Sequence, residues 1–206
     1  MKFKDTIGIF KNAFTENECK ELIARHEVTI KTGISHAGSS GIVGKVQEHK
    51  KSIDYDIANK DNKIDKTLQS LVVSKFNKYV EKYLNGYPNN DIYMHSQIVN
   101  GKCEYPVLQM QKYDKGSGHY NTWHCENDHK MTVSRVLVFI LYLNNVTEGG
   151  ETGFLFKEDG EDDFFKVKPE TGKLIIHPAS WPYIHKGYMP KSDDKYILTT
   201  WLCYTP

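Results

Sequence analysis

The sequence predicts an α+β chain, with helices confined to its N-terminal part and a sandwich or barrel of the jelly-roll kind after them. Two observations carry this. From about residue 92 the apolar residues fall into short β-branched and aromatic runs: VLQMQKY, VSRVLVFILYLNNV, FFKVK, GKLIIHP and KYILTTWLCY. Turn clusters, DKGSG, EGGETG, KEDGEDD and PASWP, separate them. Helical spacing of apolar residues occurs only before that point, and many short strands following helices point to a helix-supported β core.

Taken in order, IGIF is a short apolar run that reads as a strand. Thr15-Glu-Asn-Glu18 is a capping box, with Phe14 and Cys19 placed as a hydrophobic staple. Cys19, Leu22, Ile23 and His26 follow at helical spacing. Residues 33 to 52, GISHAGSSGIVGKVQEHKKS, fit no period and read as a long loop or hairpin. A second helix is predicted from about Lys63 to Leu84, with Leu68, Leu71, Val72, Phe76, Val80 and Leu84 on one stripe and Asn85-Gly86-Tyr87-Pro88 stopping it. KEDGEDD reads as a solvated loop. With no repeat, residues 1–206 are expected to form one domain, 1–90 giving helical support and a substrate loop, 91–206 the β core.

Composition narrows the function classes. Hydrophobic content of 39% and charged content of 26% are ordinary for a soluble globular chain, and a net charge of +1 provides no global field toward nucleic acid or membrane. MKFKDTIGIFKNAF has neither a long apolar run nor a small-residue cleavage site, so a cytoplasmic location is expected. The four cysteines form no CxxC pair and read as free thiols in a reducing compartment. On that expectation the Asn145-Val-Thr147 sequon is a chance match.

The stretch YNTWHCENDH holds the chemistry. His124 and Glu126 stand two apart, and on a strand such side chains share a face. His185, in WPYIHKGYMP, is the candidate second histidine. Two histidines and one carboxylate form a facial triad that leaves three adjacent positions on ferrous iron, enough for a bidentate co-substrate and dioxygen. Lys195, ten residues after His185, can clamp the far carboxylate of an oxo-diacid, and Tyr142 can add a hydroxyl. The competing reading is bland: among nine histidines a lone His-x-Glu pair is more often a surface pair. Asp128 is the fallback carboxylate. HCENDH is not a zincin motif, and Cys125 would face away from its neighbours on a strand.

Six fragments, in order, resemble the prolyl 4-hydroxylase-like branch of the Fe(II)/2-oxoglutarate dioxygenases. They are FKNAFTENECKELI, YDKGSGHY, SRVLVFILYLNNVTEGGETGF, VKPETGKLIIHP, His185-Lys-Gly, and Lys195-Tyr-Ile with Trp201. The resemblance implies a double-stranded β-helix, a jelly roll buttressed by N-terminal helices. It implies His124, Glu126 and His185 as iron ligands, Lys195 on the distal carboxylate of 2-oxoglutarate, and Tyr142, Tyr113 and Thr199 beside it, with Trp201 packed behind the metal. Two departures stand out. Glu126 occupies the place of the usual aspartate, and the step from Tyr120 to His124 is one residue longer than expected, as a bulge would make it.

The implied activity is hydroxylation of an unactivated C–H bond, of a prolyl residue in a peptide or protein, with release of succinate and CO2. Fe(II), 2-oxoglutarate, dioxygen and ascorbate are the implied cofactors and reactants, with no nucleic acid or membrane partner. The alternatives are the same chemistry on a free amino acid or small molecule, and a metal-binding β-helix without turnover. The Gly33–Ser52 loop is the candidate substrate lid, with Lys45, His49, Lys50 and Lys51 facing an acidic or carbonyl-rich partner or, equally, solvent. Trp181 and Tyr183 are candidates for the groove wall or for rim packing.

Overall fold

A computed structural model of the chain describes residues 2–4, 6–38, 46–58, 65–86, 102–157 and 164–205. The elements run β1 (Lys2–Lys4), β2 (Ile7–Phe10), α1 (Glu16–Lys31), β3 (His36–Ala37), α2 (Val46–His49), β4 (Lys50–Lys51), β5 (Ile53–Asp56) and α3 (Lys66–Leu84). The β-rich part follows: β6 (Cys103–Glu104), β7 (Gln109–Tyr113), β8 (His119–His124), β9 (Arg135–Tyr142), β10 (Thr152–Lys157), β11 (Phe164–Val167), β12 (Leu174–Pro178), β13 (His185–Gly187) and β14 (Lys195–Tyr204).

Two sheets result. The major one has nine strands in the order β1-β2-β12-β9-β14-β7-β5-β3, with β6 also on β14, and the minor one has the order β11-β10-β13-β8-β4. Every pairing is antiparallel among the described strands. Such facing antiparallel sheets, with helices behind one of them, are the jelly roll the sequence predicts.

The major sheet separates two apolar cores by alternation. Leu137, Phe139 and Leu141 of β9, with Leu174, Ile176, Leu198 and Leu202, face the helices and meet Leu22, Leu68, Val72 and Phe76. Val138, Ile140 and Tyr142, with Ile175, Ile197 and Trp201, face the minor sheet and meet Phe154, Phe165 and Val167. Successive strand residues point to opposite faces, so one long apolar run serves both cores.

Local chemistry sets the helices. Thr15 caps α1 in a full capping box with Glu18, and Phe14 and Cys19 are both buried as the staple requires. The described part of α3 begins at Lys66, and its buried stripe is Leu68, Val72, Phe76, Tyr79, Val80 and Tyr83. Leu71 and Leu84 lie at the stripe's edge, only partly buried. Asp65 makes no capping hydrogen bond. Its carboxylate is committed to Arg25, at 2.5 Å, and to the Tyr55 hydroxyl, tying α3 to α1 and β5.

Residues before 90 do more than support the sheets from behind. They add β2 to β12, β5 to β7 and β4 to β8, so they complete both sheets. The predicted Gly33–Ser52 loop is in part built structure, since it contains β3, α2 and β4. Lys45, the helix start near Lys63, the Tyr87-Pro88 stop, the pattern at residues 92–101 and residues 158–163 of the acidic run lie outside the described residues.

Two outcomes are expected. Phe139 is fully buried, with its ring 5.0 Å from Phe76 and 5.6 Å from Tyr105. Phe139→Ala should cost about 3–5 kcal/mol in denaturant unfolding. His26 is fully buried, neither ring nitrogen has a hydrogen-bond partner among the described residues, and burial pushes its pKa down to about 4. The unfolded chain takes up a proton below its ordinary value of 6.5 while the folded chain does not, so stability present above pH 6.5 is lost as pH falls toward 4. His177, pushed down to about 3, acts with the same sign. His26→Leu should therefore flatten the fall in unfolding free energy between pH 6.5 and 4, read from denaturant midpoints, by on the order of 2–3 kcal/mol.

Candidate active site

A cavity of about 460 Å³ opens between the two sheets. Its floor is the inward face of the major sheet: Gln109, Gln111 and Tyr113 of β7, Ile140 of β9, and Lys195, Ile197, Thr199 and Trp201 of β14. Their register is mutual, with Lys195 opposite Tyr113, Ile197 opposite Gln111 and Thr199 opposite Gln109, so one face of three strands supplies the lining. The minor sheet supplies Tyr120, Thr122, His124, His185 and Gly187.

His124, Glu126 and His185 form one cluster whose three ligand atoms lie within 4.8 Å of one another. The two histidines are brought together by direct pairing, His185 opposite His124 across β13 and β8. From that pair to the next, Gly187 opposite Tyr120, β13 advances two residues and β8 four, so the expected bulge lies between Tyr120 and His124. Tyr120 stacks on the His124 ring at 4.0 Å. The strand expectation for Glu126 needs correction. β8 ends at His124 and Glu126 sits on a bend, so strand alternation does not aim it. Its N–H donates to Ala179 O at 2.8 Å, and its carbonyl accepts from Arg135 Nη1 at 3.1 Å.

The protonation pattern suits a metal. His124 Nδ1 lies 2.8 Å from Thr122 O, and His185 Nδ1 lies 3.1 Å from Tyr183 O. A carbonyl only accepts, so each Nδ1 carries the hydrogen and each Nε2 presents a lone pair. Both Nε2 atoms point at Glu126 Oε1, from 3.5 and 3.6 Å. His124 Nε2 is buried with no hydrogen-bond partner among the described residues, a lone pair that a metal ion would satisfy. Burial pushes the His185 pKa down, favouring the neutral, ligating form. Although burial opposes its charge, Glu126 is held well below the usual carboxylate range by the adjacent His124 and His185. The residues fit a divalent metal with one carboxylate and two imidazole ligands.

Lys195 lies 3% exposed at the other end of the floor. Its Nζ donates to Gly150 O at 2.9 Å and sits 5.1 Å over the Tyr113 ring. Gly150 has φ +75, a conformation glycine adopts freely, and this lets the GGET turn present that carbonyl. Burial lowers the Lys195 pKa to about 8. Among the described residues no carboxylate pairs with it, and a buried, unpaired ammonium favours an anionic ligand. Tyr113 and Thr199 both line the cavity, and both hydroxyls meet Gln111 Oε1 at 3.3 Å.

Other expected residues sit differently. Tyr142 does not line the cavity: its hydroxyl is bonded to Thr152 Oγ1 at 2.6 Å and Val167 O at 3.1 Å, and Thr152 is the hydroxyl that faces the space. Trp201 lines the floor, its Nε1 without a hydrogen-bond partner among the described residues. Asp128 lines the mouth but lies outside the metal cluster, its side chain 54% exposed. Cys125 also lines the cavity. Trp181 is exposed and Tyr183 bonds to Thr6, and neither lines the cavity.

Sequence reasoning missed Gln111, Thr152 and Arg135, and left Lys50 open between an acidic partner and solvent. Lys50 is not a solvated loop residue. It is buried, lines the cavity beside Tyr120, and pairs with Asp54 at 2.7 Å. Asp54 also accepts from Ser52, Gln109 and Gln111. Pairing of β4 with β8 delivers Lys50 there, a long-range contact that loop composition does not encode.

Residues 108–203 match the family described as the 2OG-Fe(II) oxygenase superfamily. A prolyl 4-hydroxylase 13 of Arabidopsis thaliana is 29% identical over 112 residues, 47% of this chain and 41% of that protein. A probable prolyl 4-hydroxylase 9 of the same plant is 29% identical over 109 residues, 45% of this chain and 36% of that protein. The matched segments thus span less than half of these relatives. Among solved structures, a Trichoplax adhaerens prolyl hydroxylase in complex with a hypoxia inducible factor peptide fragment superposes with TM-score 0.72, 14% identity, and coverage of 98% of this chain and 84% of that one. A Pseudomonas putida prolyl-4-hydroxylase gives 0.66, 14%, 96% and 92%. The collagen prolyl hydroxylase of Paramecium Bursaria Chlorella virus-1, in its 2OG complex, gives 0.61, 19%, 98% and 97%. At these identities the structures establish the double-stranded β-helix fold.

Removing one partner of the buried Lys50–Asp54 pair strands the other charge. Lys50→Met should lower unfolding free energy by roughly 3 kcal/mol, and adding Asp54→Asn should restore part of it, as read from denaturant midpoints.

Proposed function

We propose that the chain is an Fe(II)- and 2-oxoglutarate-dependent dioxygenase of the prolyl 4-hydroxylase-like kind, acting on a prolyl residue of a peptide or protein; the match of residues 108–203 to the 2OG-Fe(II) oxygenase superfamily supports this reading. The observation that carries this is the shared cavity: three metal-ligating atoms at one end and a buried ammonium at the other. When bound, ferrous iron with 2-oxoglutarate and dioxygen supplies the oxidising power to hydroxylate an unactivated carbon, with release of succinate and CO2.

The chain's own residues would hold and orient these reactants. His124 and His185 offer neutral Nε2 lone pairs, and Glu126 offers Oε1. Lys195 holds the distal carboxylate of the diacid, with the Tyr113 and Thr199 hydroxyls beside it. Ile140 and Ile197 keep the floor beside it apolar, which strengthens the ammonium–carboxylate attraction. The open mouth, where Met131 lines the cavity while 86% exposed, suits an extended polypeptide better than a sealed small molecule. Ascorbate is the expected reductant for iron left oxidised. The four free cysteines are consistent with a reducing, cytoplasmic setting, and no helix among the described residues is long and apolar enough to cross a membrane.

The test is an anaerobic titration of metal-free protein with Fe(II) and 2-oxoglutarate, followed by the visible charge-transfer band. Wild type should show the band, His185→Ala and Glu126→Ala should lose it, and Lys195→Ala should need about 100-fold more 2-oxoglutarate. Succinate release should then be stimulated by proline-containing peptides. Absence of the band with iron bound would overturn the co-substrate assignment, and stimulation by free amino acids alone would move the substrate to small molecules.

A further inference from the structure

Glu126 has one more rotatable bond than the aspartate the resemblance expects, so something must fix it if a single oxygen is to face the metal position. Arg135 has the geometry to do so. Its Nη1 donates to Glu126 Oε2 at 2.9 Å and to the Glu126 carbonyl at 3.1 Å. Its guanidinium lies 3.7 Å over the Trp201 ring. The two carboxylate oxygens are thereby divided: Oε2 belongs to Arg135, while Oε1 faces His124 Nε2 and His185 Nε2.

Strand register shows that this placement is built. Along β9, Val138, Ile140 and Tyr142 face the cavity side, so strict alternation would send Arg135 toward the helices. The β9–β14 pairing shifts by one residue between Leu202 and Cys203, which sets Arg135 opposite Cys203 instead of Val136. Val136 accordingly packs with the helix-side core, Cys203 with the cavity-side core, and Arg135 turns onto the Trp201 face.

We propose that Arg135 is the positioning residue of the metal centre. It makes the longer glutamate an effective ligand by holding Oε2, and Trp201 serves as the platform that holds Arg135 in turn. The proposal rests on the metal-site reading above. A guanidinium suits the role because its planar face stacks on the indole while one edge nitrogen reaches both Oε2 and the backbone carbonyl of Glu126, and lysine offers no such plane. A purely structural ion pair would serve stability alone and would be indifferent to what Glu126 binds.

The two roles separate in a double-mutant cycle read by Co(II) affinity, using visible absorption of full-length protein, with metal-free melting as the folding control. Arg135→Met should weaken Co(II) binding about 10- to 100-fold where Glu126 is present. In a Glu126→Gln background, where no charged Oε2 remains, the same change should leave Co(II) affinity unaltered or tighter. Arg135→Lys should show a smaller loss with the same dependence on Glu126, and it is read in place of Arg135→Met if that variant melts below the working temperature. Wild-type affinity in Arg135→Met, or equal losses in both backgrounds, would overturn the proposal while leaving the metal site intact. Wild-type Co(II) binding that His185→Ala does not weaken would instead overturn the metal-site reading, and the proposal with it.

Discussion

The pairing of His185 with His124 across β13 and β8 is the constraint on which the site depends. Among the described residues neither ring is aimed by a long-range hydrogen bond. Each is oriented by the carbonyl two residues before it, so backbone register alone decides whether the two Nε2 atoms converge. A one-residue slip would turn His185 to the opposite face of its sheet and leave an imidazole without its partner. The bulge between Tyr120 and His124 accommodates the extra chain in β8 without breaking this pairing, and the stacked Tyr120 ring closes one side of His124.

The cavity also separates two buried lysines by their company. Lys50 has its countercharge inside the protein, in Asp54, and that carboxylate is further held by Ser52, Gln109 and Gln111. Lys195 has a carbonyl and aromatic faces, and no described carboxylate. Similar side chains in one cavity therefore differ in role: the first is neutralised by the fold, and the second retains a demand for an anion from outside. Gln111 connects the two ends, donating to Asp54 and accepting from Tyr113 and Thr199.

How much of this was legible in the sequence follows physical rules. The helices, the capping box and the strand runs were legible because they are written in local periodicity. That His124, Glu126, His185 and Lys195 share one cavity could be anticipated because ligand chemistry permits few residue types and the ordered resemblance pointed to these four. What escaped was non-local. Arg135 sits in an apolar run, and only the extra residue Val136, visible in the pairing with a strand sixty-odd residues away, re-aims it. Lys50 lies in a segment of loop composition, and its burial comes from pairing with β8. Tyr142 failed as a cavity hydroxyl for a related reason. Its ring lies on the inward face as alternation requires, but its hydroxyl reaches past the cavity to Thr152 and Val167.

The major sheet has a consequence for how such a protein can change over generations. Because alternate residues of β9 and β14 belong to different cores, substitutions at Leu137, Phe139, Leu141, Leu198 or Leu202 are felt by the helices, while those at Ile140, Ile197 or Thr199 are felt by whatever occupies the cavity. Heritable variation is thus sorted by odd and even position along a single strand. A lineage can reshape its ligand preference through one set of positions while the other keeps the scaffold constant, which gives this architecture a route to new substrates without a new fold.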